Sequence, residues 1–456
     1  MRTEVPIPDA RPLAVPALIL AISYAVCTPA LQAQAPADLQ QVLERLDRLE
    51  QQNRALVEEV RALRQQLSEA RTPEPNAPLE ERVAIQETRG AELAQTKVET
   101  SQRFPLRITG MALFNTFLNT RTEGDGQYPT LASATGARSA GAGFRQTTIG
   151  LEYRGPATFS GGKVRGSVFM DFFGGSGRVL DQAMRLRTAV LGIDWSTRSI
   201  EGGLEKPLIA PRDPDSLAQV GVSPLSGAGN LWLWIPQVRF EQRLPFAGGT
   251  LRAQVAAVQT SEGLPDYEAS AYEPAYEGRR PGVEGRLEFA RGEGRRIEIA
   301  PAFHRSTSHV TGHSIPSDVY SFDWLVRPLA ALDLKGALFT GQNVAPLGTG
   351  GYRQGYTLYG RWNKARAVRA RGGWAQLTVR ATSRLAFHVF SGAEDDRDSD
   401  LPAGGIGRNV VYGANFFYRL APNVLASFET TQTRTSYVGG NPLLNNHYDL
   451  ALAYLF

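Results

Sequence analysis

Basic side chains recur at alternate positions of short segments whose other positions are apolar. The members of this set are Arg107, Arg154, Lys163, Arg165, Arg187, Arg239, Arg252, Arg380 and Arg384. Because side chains alternate along a β-strand, each would lie on a polar face opposite an apolar one. Guanidinium groups match carboxylate and phosphate geometry, so a water-filled passage lined by them attracts anions. This attraction is strongest at low salt, where screening is weak.

Acidic residues share the same predicted faces and leave a second interpretation open. These acids are Glu152, Asp171, Glu241, Glu284 and Glu288. Opposite charges on neighbouring strands attract each other and neutralise the face that they share. The arginines would then belong to a balanced polar interior instead of an anion path. The choice depends on strand register, which the sequence does not supply.

Three histidines, His304, His309 and His313, are the other candidates for chemistry. We place them near a long loop at 305–316. Their spacing suits zinc only on a helix, which the intervening Ser, Thr, Val and Gly residues disfavour, so we expect no metal site. The chain has no Gly-x-Ser-x-Gly motif and no phosphate-binding loop, so we expect no catalytic residues, cofactor or enzyme activity. The mixed charge, +4 overall, disfavours a nucleic-acid partner.

The end of the chain shows the clearest alternation. One face of the predicted strand carries Tyr448, Leu450, Leu452, Tyr454 and Phe456, and the other carries His447, Asp449, Ala451 and Ala453. An apolar face with aromatic ends is typical of a strand that faces lipid in a membrane barrel. The terminal Phe resembles the C-terminal signal of outer-membrane barrels, so we expect membrane lipid and the barrel assembly machinery as partners. The alternative is a buried edge strand of a soluble sandwich.

Similar alternating segments recur from residue 105 onward, and with the last strand they number about sixteen. Tight connections at 161–162 and 421–423 contrast with long ones at 121–142, 261–281, 305–316, 342–370 and 392–407. Short turns at one end and long loops at the other are typical of outer-membrane barrels. We therefore predict an all-β transmembrane barrel of about sixteen antiparallel strands over residues 104–456, located in the bacterial outer membrane.

The N-terminal part of the chain has a different pattern. Residues 1–35, with two arginines before a short apolar core, indicate a secretory signal peptide. Residues 36–71 predict a periplasmic α-helical coiled coil, and residues 72–103 a linker with a short helix. The core positions of the heptad repeat are Leu39, Val42, Leu46, Leu49, Asn53, Leu56, Val60, Leu63 and Leu67. A wide apolar stripe favours a trimer and the polar Asn53 favours a dimer, so both states stay open.

Two short motifs complete this picture. They are Ser101-Gln102-Arg103-Phe104-Pro105-Leu106-Arg107-Ile108-Thr109-Gly110 at the barrel entry and Arg371-Gly372-Gly373-Trp374-Ala375-Gln376-Leu377 late in the chain. With the predicted signal, coiled coil and barrel, they resemble the first strand and a late strand of the trimeric DcaP-like porins. That group is distantly related to the phosphate-selective porins O and P. The resemblance implies a homotrimeric diffusion channel for small, anionic solutes.

The resemblance to large porins also implies a loop that folds inward and narrows the channel. The stretch Pro207–Asn230 follows an early predicted strand and contains Arg212, Asp213 and Asp215, so we expect it to form the constriction. The alternative is an ordinary extracellular loop. For the whole chain, the expected function is passive diffusion of small hydrophilic solutes. The alternative function is a structural one, in which the coiled coil tethers the cell envelope.

Overall fold

The computed structural model describes residues 105–122, 125–174, 182–259, 281–292, 294–310, 313–348, 354–360 and 364–456. Within these ranges, none of the helices has the length and apolar composition of a transmembrane helix. The predicted signal peptide, coiled coil and linker lie outside the described residues and stay predictions.

Nineteen strands make up most of the described part of the chain. They are β1 (Leu106–Thr122), β2 (Ala137–Gly143), β3 (Thr148–Ala157), β4 (Lys163–Gly174), β5 (Ala183–Asp194), β6 (Arg198–Glu205), β7 (Ile235–Phe246), β8 (Gly249–Val258), β9 (Gly282–Arg291), β10 (Ile297–Val310), β11 (His313–Leu329), β12 (Leu332–Gln342), β13 (Tyr356–Tyr359), β14 (Lys364–Ala367), β15 (Arg369–Arg380), β16 (Leu385–Asp396), β17 (Ile406–Ala421), β18 (Val424–Tyr437) and β19 (Leu443–Leu455). Short 3-10 helices occupy connections at Phe159–Gly161, Ala345–Leu347 and Asp398–Asp400.

Sixteen strands form one closed antiparallel barrel. Hydrogen bonding joins seventeen strands into the large sheet, while β13 and β14 form a separate two-stranded sheet. Two of the seventeen, β2 and β3, pair in succession with different parts of β1 and act as a single barrel strand. The predicted strand count is therefore confirmed.

The barrel closes where β1 pairs with β19, from Met111 opposite Leu455 to Asn119 opposite His447. Beyond this ladder, Gly110 and Phe456 exchange two backbone hydrogen bonds of 3.0 and 3.1 Å. Only glycine fits at Gly110, because a Cβ atom there would lie 2.5 Å from the Phe456 ring. A closed barrel has no sheet edge, which excludes the edge strand of a soluble sandwich.

The two faces of the wall differ in chemistry. On β19, Tyr448, Leu450, Leu452, Tyr454 and Phe456 are exposed on the outer face, whereas His447, Asp449, Ala451 and Ala453 are buried on the inner face. Exposed apolar residues continue this outer surface on other strands, for example Leu338 on β12 and Val389 on β16. Strand alternation places apolar side chains outside and polar ones inside. The role of β19 as an assembly signal stays a prediction.

Connections at the two barrel ends differ in length. Two residues join β7 to β8, and two join β17 to β18, at the end where β19 terminates. At the other end, residues 206–234 separate β6 from β7 and residues 343–368 separate β12 from β15. The long loop expected at 305–316 was wrong, because β10 runs to Val310 and β11 begins at His313. Polar strands that line an interior resemble loops in composition.

The three histidines consequently lie on strands. His304 is buried on β10, where its ring nitrogens lie 2.9 Å from Glu284 Oε1 and 3.0 Å from Ser306 Oγ. His309 lies near the end of β10, with Nδ1 3.1 Å from Ser314 Oγ, and His313 begins β11. Among the described residues, no three His, Cys, Asp or Glu side chains are grouped closely enough to hold a metal ion.

Candidate functional site: an internal loop and a basic wall

The connection between β6 and β7, residues 206–234, lies inside the barrel, and we call it the inner loop. Its backbone is held by side chains from strands far apart around the wall. The Leu208 amide donates to Glu284 of β9 at 2.6 Å, and the Asp215 carbonyl accepts from Asn415 of β17 at 2.9 Å. The Leu217 carbonyl accepts from Asn115 of β1 at 2.8 Å. These contacts carry the loop across the interior, so it is not an ordinary extracellular loop.

Arg212 anchors the first half of the inner loop. Its Nε lies 2.8 Å from Asp323 Oδ1, and its Nη2 lies 2.6 Å from Glu298 Oε2. Arg286 of β9 shares Asp323, with its Nε 3.0 Å from Oδ2. Burial alone would lower the pKa of Arg212, but the hydrogen bonds and charges of Asp323 and Glu298 outweigh burial and raise it. Arg212 is therefore a buried loop anchor.

A second anchor joins the middle of the inner loop to the closing strands. Ser216 donates to Glu429 Oε2 of β18 at 2.6 Å. Asn415 donates to the same oxygen at 2.8 Å. On the neighbouring wall, Asn115 bridges the Leu217 carbonyl and Asp449 Oδ1, which is 3.0 Å away. The wall supplies polar partners where the loop presents backbone groups, as buried backbone requires.

A third anchor holds the turn of the inner loop against the early strands. Gln146 donates to the Ala218 carbonyl at 2.6 Å and accepts from the Val220 and Gly221 amides at 2.6 and 3.0 Å. Arg187 donates to the Val220 carbonyl at 2.7 Å, and Arg185 to the Gly221 carbonyl at 2.6 Å. These two arginines thus position backbone as well as contribute charge.

The returning half of the inner loop packs by apolar contact. Leu225 lies in a buried cluster with Trp374 and Phe390. Gly229 has φ +92°, and a Cβ atom there would lie 2.4 Å from the Gly373 nitrogen. Close approach of the loop to the wall therefore requires glycine at position 229, whereas a Cβ atom at Gly373 would lie 2.5 Å from the Ala337 carbonyl oxygen of the neighbouring strand.

The predicted constriction residues have different surroundings. Asp213 forms an ion pair with Lys206 and accepts from Asn230 Nδ2 at 3.1 Å. Asp215 is more exposed, with Oδ1 2.8 Å from Lys335 Nζ. Both carboxylates thus pair with lysines, whereas Arg212 pairs with acidic side chains of the barrel wall. Their role in narrowing a channel stays a prediction.

Most of the predicted lining residues lie on inner faces of strands. The inner-face members are Arg107 on β1, Arg154 on β3, Lys163 and Arg165 on β4, Arg187 on β5, Arg239 on β7, Arg252 on β8 and Arg380 on β15. Arg384 differs, because it lies in the exposed turn before β16 and not on a strand. Arg384 was predicted to lie on the strand because it directly precedes Leu385, where the alternation of β16 begins.

Five of these cations form ion pairs with acids on other strands of the wall. Arg165 and Arg239 share Glu201, and the Arg239 Nε lies 2.7 Å from it. The other pairs are Arg187 with Asp171 at 3.2 Å, Arg252 with Glu288 at 3.0 Å, and Arg380 with Asp333. Over part of the wall, acidic residues thus neutralise the basic ones, as in the second interpretation of the sequence.

Three cations have no acidic partner within ion-pair distance in the described part of the chain. These residues, Arg107, Arg154 and Lys163, are exposed and lie close together on β1, β3 and β4. Arg154 faces Arg165 directly across β3 and β4. Like charges in opposite positions repel, so Arg154 and Arg165 concentrate positive charge here, whereas Arg107 faces Glu152 and Lys163 faces Asp194.

Sequence reasoning missed several residues that organise the interior. Arg286, Asp323, Glu201 and Gln146 all hold the inner loop or the wall arginines. Trp234 was also missed, and the guanidinium carbons of Arg185 and Arg187 lie 5.4 and 4.8 Å from its ring centre. A signal existed for Arg286, because Glu284, Arg286 and Glu288 alternate with apolar residues.

No protein-family model and no curated protein matches the sequence. Many solved structures are similar in fold, among them the following three. The outer membrane channel DcaP of Acinetobacter baumannii has a TM-score of 0.65 at 14% identity, covering 77% of this chain and 97% of that one. An anion-selective porin from Comamonas acidovorans has a TM-score of 0.52 at 9% identity, covering 77% and 99%. Salmonella typhi OmpF, in complex with daunomycin, has a TM-score of 0.51 at 10% identity, covering 77% and 97%. The likeness to DcaP-like channels is thereby confirmed in the fold.

Proposed function

We propose that this chain is an outer-membrane porin for passive diffusion of small hydrophilic, anionic solutes. One observation carries the proposal: the inner loop crosses the barrel while basic side chains on β4, β7 and β8 stay accessible inside it. A loop fixed at three places in this way would narrow the passage. The opening then lies between the loop and this basic wall.

The anionic preference follows from unequal burial within the ion pairs. The side chains of Arg165 and Arg252 are 52% and 38% exposed, whereas those of Glu201 and Glu288 are each 5% exposed. A solute in the lumen therefore meets guanidinium groups in front of buried carboxylates. Positive charge close to the passage lowers the energy of an anion more than buried negative charge raises it, because Coulomb energy falls with distance.

The proposed function also implies where the parts of the chain lie in the cell envelope. The exposed apolar outer face suits the hydrocarbon of the outer membrane, and the long connections would face the cell exterior. The predicted coiled coil at 36–71 would lie in the periplasm and join three copies. Similarity in fold to solved structures described as a channel and as a porin supports the membrane location of the barrel. The barrel assembly machinery would recognise β19.

Reversal potential across a planar bilayer tests the proposal. Purified protein in a KCl gradient should show anion selectivity, with conductance steps grouped in threes. Cation selectivity would mean that acids control the passage, and the anionic preference would be rejected. Absence of conductance from folded protein would reject the porin function and favour a structural tether.

A further inference from the structure

A groove of about 690 Å³ lies on the wall where β11, β12, β15 and β16 approach the long connections. Its lining includes Asp318, Tyr320, Arg369, Arg371, Asp395 and Arg397. The strand residues among them point outward, because their neighbours Val319, Ala370 and Asp396 are buried on the inner face. These charged residues therefore lie on the outer face, although the buried Ala370 and Asp396 also border the groove.

Strand register arranges the charged residues of this outer groove in two rows. The row nearest the long connections consists of Arg305, Asp318, Gln342 and Arg369. The next row consists of Thr340, Arg371, Asp395 and Arg408. Neighbouring strands are about 4.8 Å apart, so basic and acidic groups lie within reach of a single headgroup.

The outer groove lies directly beside an apolar surface. Phe322 and Leu338 are exposed and face each other, two residues beyond the second charged row. Leu377 and Val389, also exposed and facing each other, lie still farther from the long connections. Charged side chains are costly in the hydrocarbon core and tolerated at its boundary. The two charged rows therefore mark the level of lipid headgroups.

Both signs of charge in the outer groove are available to a ligand. Arg371 is 76% exposed, although its Nη2 lies 2.6 Å from Asp395 Oδ2. Arg408 is exposed on the other side of Asp395. Exposed ion pairs contribute little stability, so a ligand replaces their partners at small cost. Guanidinium groups suit phosphate oxygens, and carboxylates suit a divalent cation.

We propose that the outer groove binds the phosphorylated headgroup of an outer-leaflet glycolipid, with a divalent cation bridging the lipid phosphate and Asp395. The inference rests on the proposed function only for the barrel's place in the outer membrane. Arg371 and Arg408 flank Asp395 and bind the phosphate oxygens. A phosphate alone would be repelled by Asp395, which is why the bridging cation is part of the proposal.

The outer groove is shaped before a lipid arrives. Arg397 and the following residues connect β16 to β17 beside the groove. This connection is held by two hydrogen bonds from Arg369 to Asp400, of 2.8 Å from Nε and 2.9 Å from Nη2. A bidentate pair of this kind fixes direction as well as distance. Less ordering is then needed on binding, which favours affinity.

Native mass spectrometry of the full chain in detergent tests the proposal, with bis-phosphorylated lipid A as the probe and CaCl₂ present. We expect one lipid per chain, lost on chelation with EDTA. Arg371→Ala should weaken binding about tenfold, as expected for loss of a charged hydrogen bond. Asp395→Asn should remove the calcium dependence. Arg291→Ala is the matched control, because it removes an exposed arginine from the outer face at the opposite rim.

Equal binding by the wild type and folded Arg371→Ala would overturn the inference. Displacement by equimolar inorganic phosphate, or equal binding of phosphatidylethanolamine without calcium, would also overturn it. Folding of each variant is checked by its shift in gel mobility on heating. Bilayer conductance, measured on the same preparations, separates the two proposals. Conductance without lipid binding rejects only the groove, and lipid binding without conductance rejects only the porin.

Discussion

Glu429 and Asp449 face each other directly across β18 and β19, and both carboxylates are buried on the inner face. Each also supports the region around the inner loop, because Ser216 donates to Glu429 and Asn115 donates to Asp449. In the described part of the protein, Glu429 Oε1 and Asp449 Oδ2 have no hydrogen-bond partner. Two buried carboxylates in opposite positions repel, so this pair destabilises the barrel although each member helps to hold the inner loop.

Replacing Asp449 with Asn should therefore stabilise the barrel. The Asn side-chain oxygen can still accept from Asn115, while one of the two like charges is removed. The expected gain is about 1 kcal/mol, measured as a higher temperature for heat-induced unfolding in SDS. Asp449→Ala is the control and should lower that temperature, because it leaves the buried Asn115 amide without this acceptor. Equal loss of stability in both variants would contradict the repulsion argument.

Removing the Arg212 side chain should release the first half of the inner loop. Arg212→Ala leaves Asp323 paired with Arg286 and Glu298 paired with Arg296. The loss of stability should therefore be smaller than the about 3–5 kcal/mol typical of a buried charge left without any partner. We expect larger and noisier single-channel conductance, because the loop no longer holds one position. Arg212→Lys should give a conductance between those of the wild type and Arg212→Ala. Lysine keeps the positive charge but lacks the planar guanidinium that binds Asp323 and Glu298 at once. Wild-type conductance in Arg212→Ala would show that the loop is held elsewhere.

The shared acid Glu201 offers a test of selectivity in both directions. Arg165→Gln and Arg239→Gln should each reduce anion selectivity, since each removes an accessible positive charge near Glu201. Glu201→Gln should increase it, because both arginines lose the same buried partner. Reversal potentials in a KCl gradient measure these changes. Shifts in the same direction for all three variants would reject the arrangement of exposed cations over buried acids.

The ion pair between Asp400 and Arg369 predicts a dependence of stability on pH. The hydrogen bond from Arg369 lowers the pKa of Asp400 below its ordinary value of 3.8. A lowered pKa adds stability above the ordinary value, and this contribution is lost as pH falls through the folded-state pKa. Wild type should thus unfold at a higher temperature than Asp400→Asn near pH 7. The difference should shrink as pH falls below the ordinary value and vanish below the folded-state pKa, and a difference that acid does not change would contradict the assignment.

Local pattern was sufficient to predict the architecture of the wall. Side chains alternate with a period of two in any strand, so the order of Tyr448, Leu450 and Leu452 against Asp449 and Ala451 implied two chemically different faces. The same local signal predicted the number of barrel strands. It failed at 305–316, because Ser, Thr and His residues suit both a loop and a polar strand. The low hydrophobicity there did not reveal that the strands continue.

The organisation of the interior depended on contacts that no local pattern contains. Arg212 meets Asp323 across 111 positions, Ser216 meets Glu429 across 213, and Asn115 meets Asp449 across 334. Barrel closure and strand register create these pairs, and a shift of one residue would turn each wall partner to the outer face. Alternation along the chain thus showed which residues are polar and which strands carry them. Contacts between distant strands settle which charges hold the inner loop, which neutralise each other and which remain accessible in the lumen.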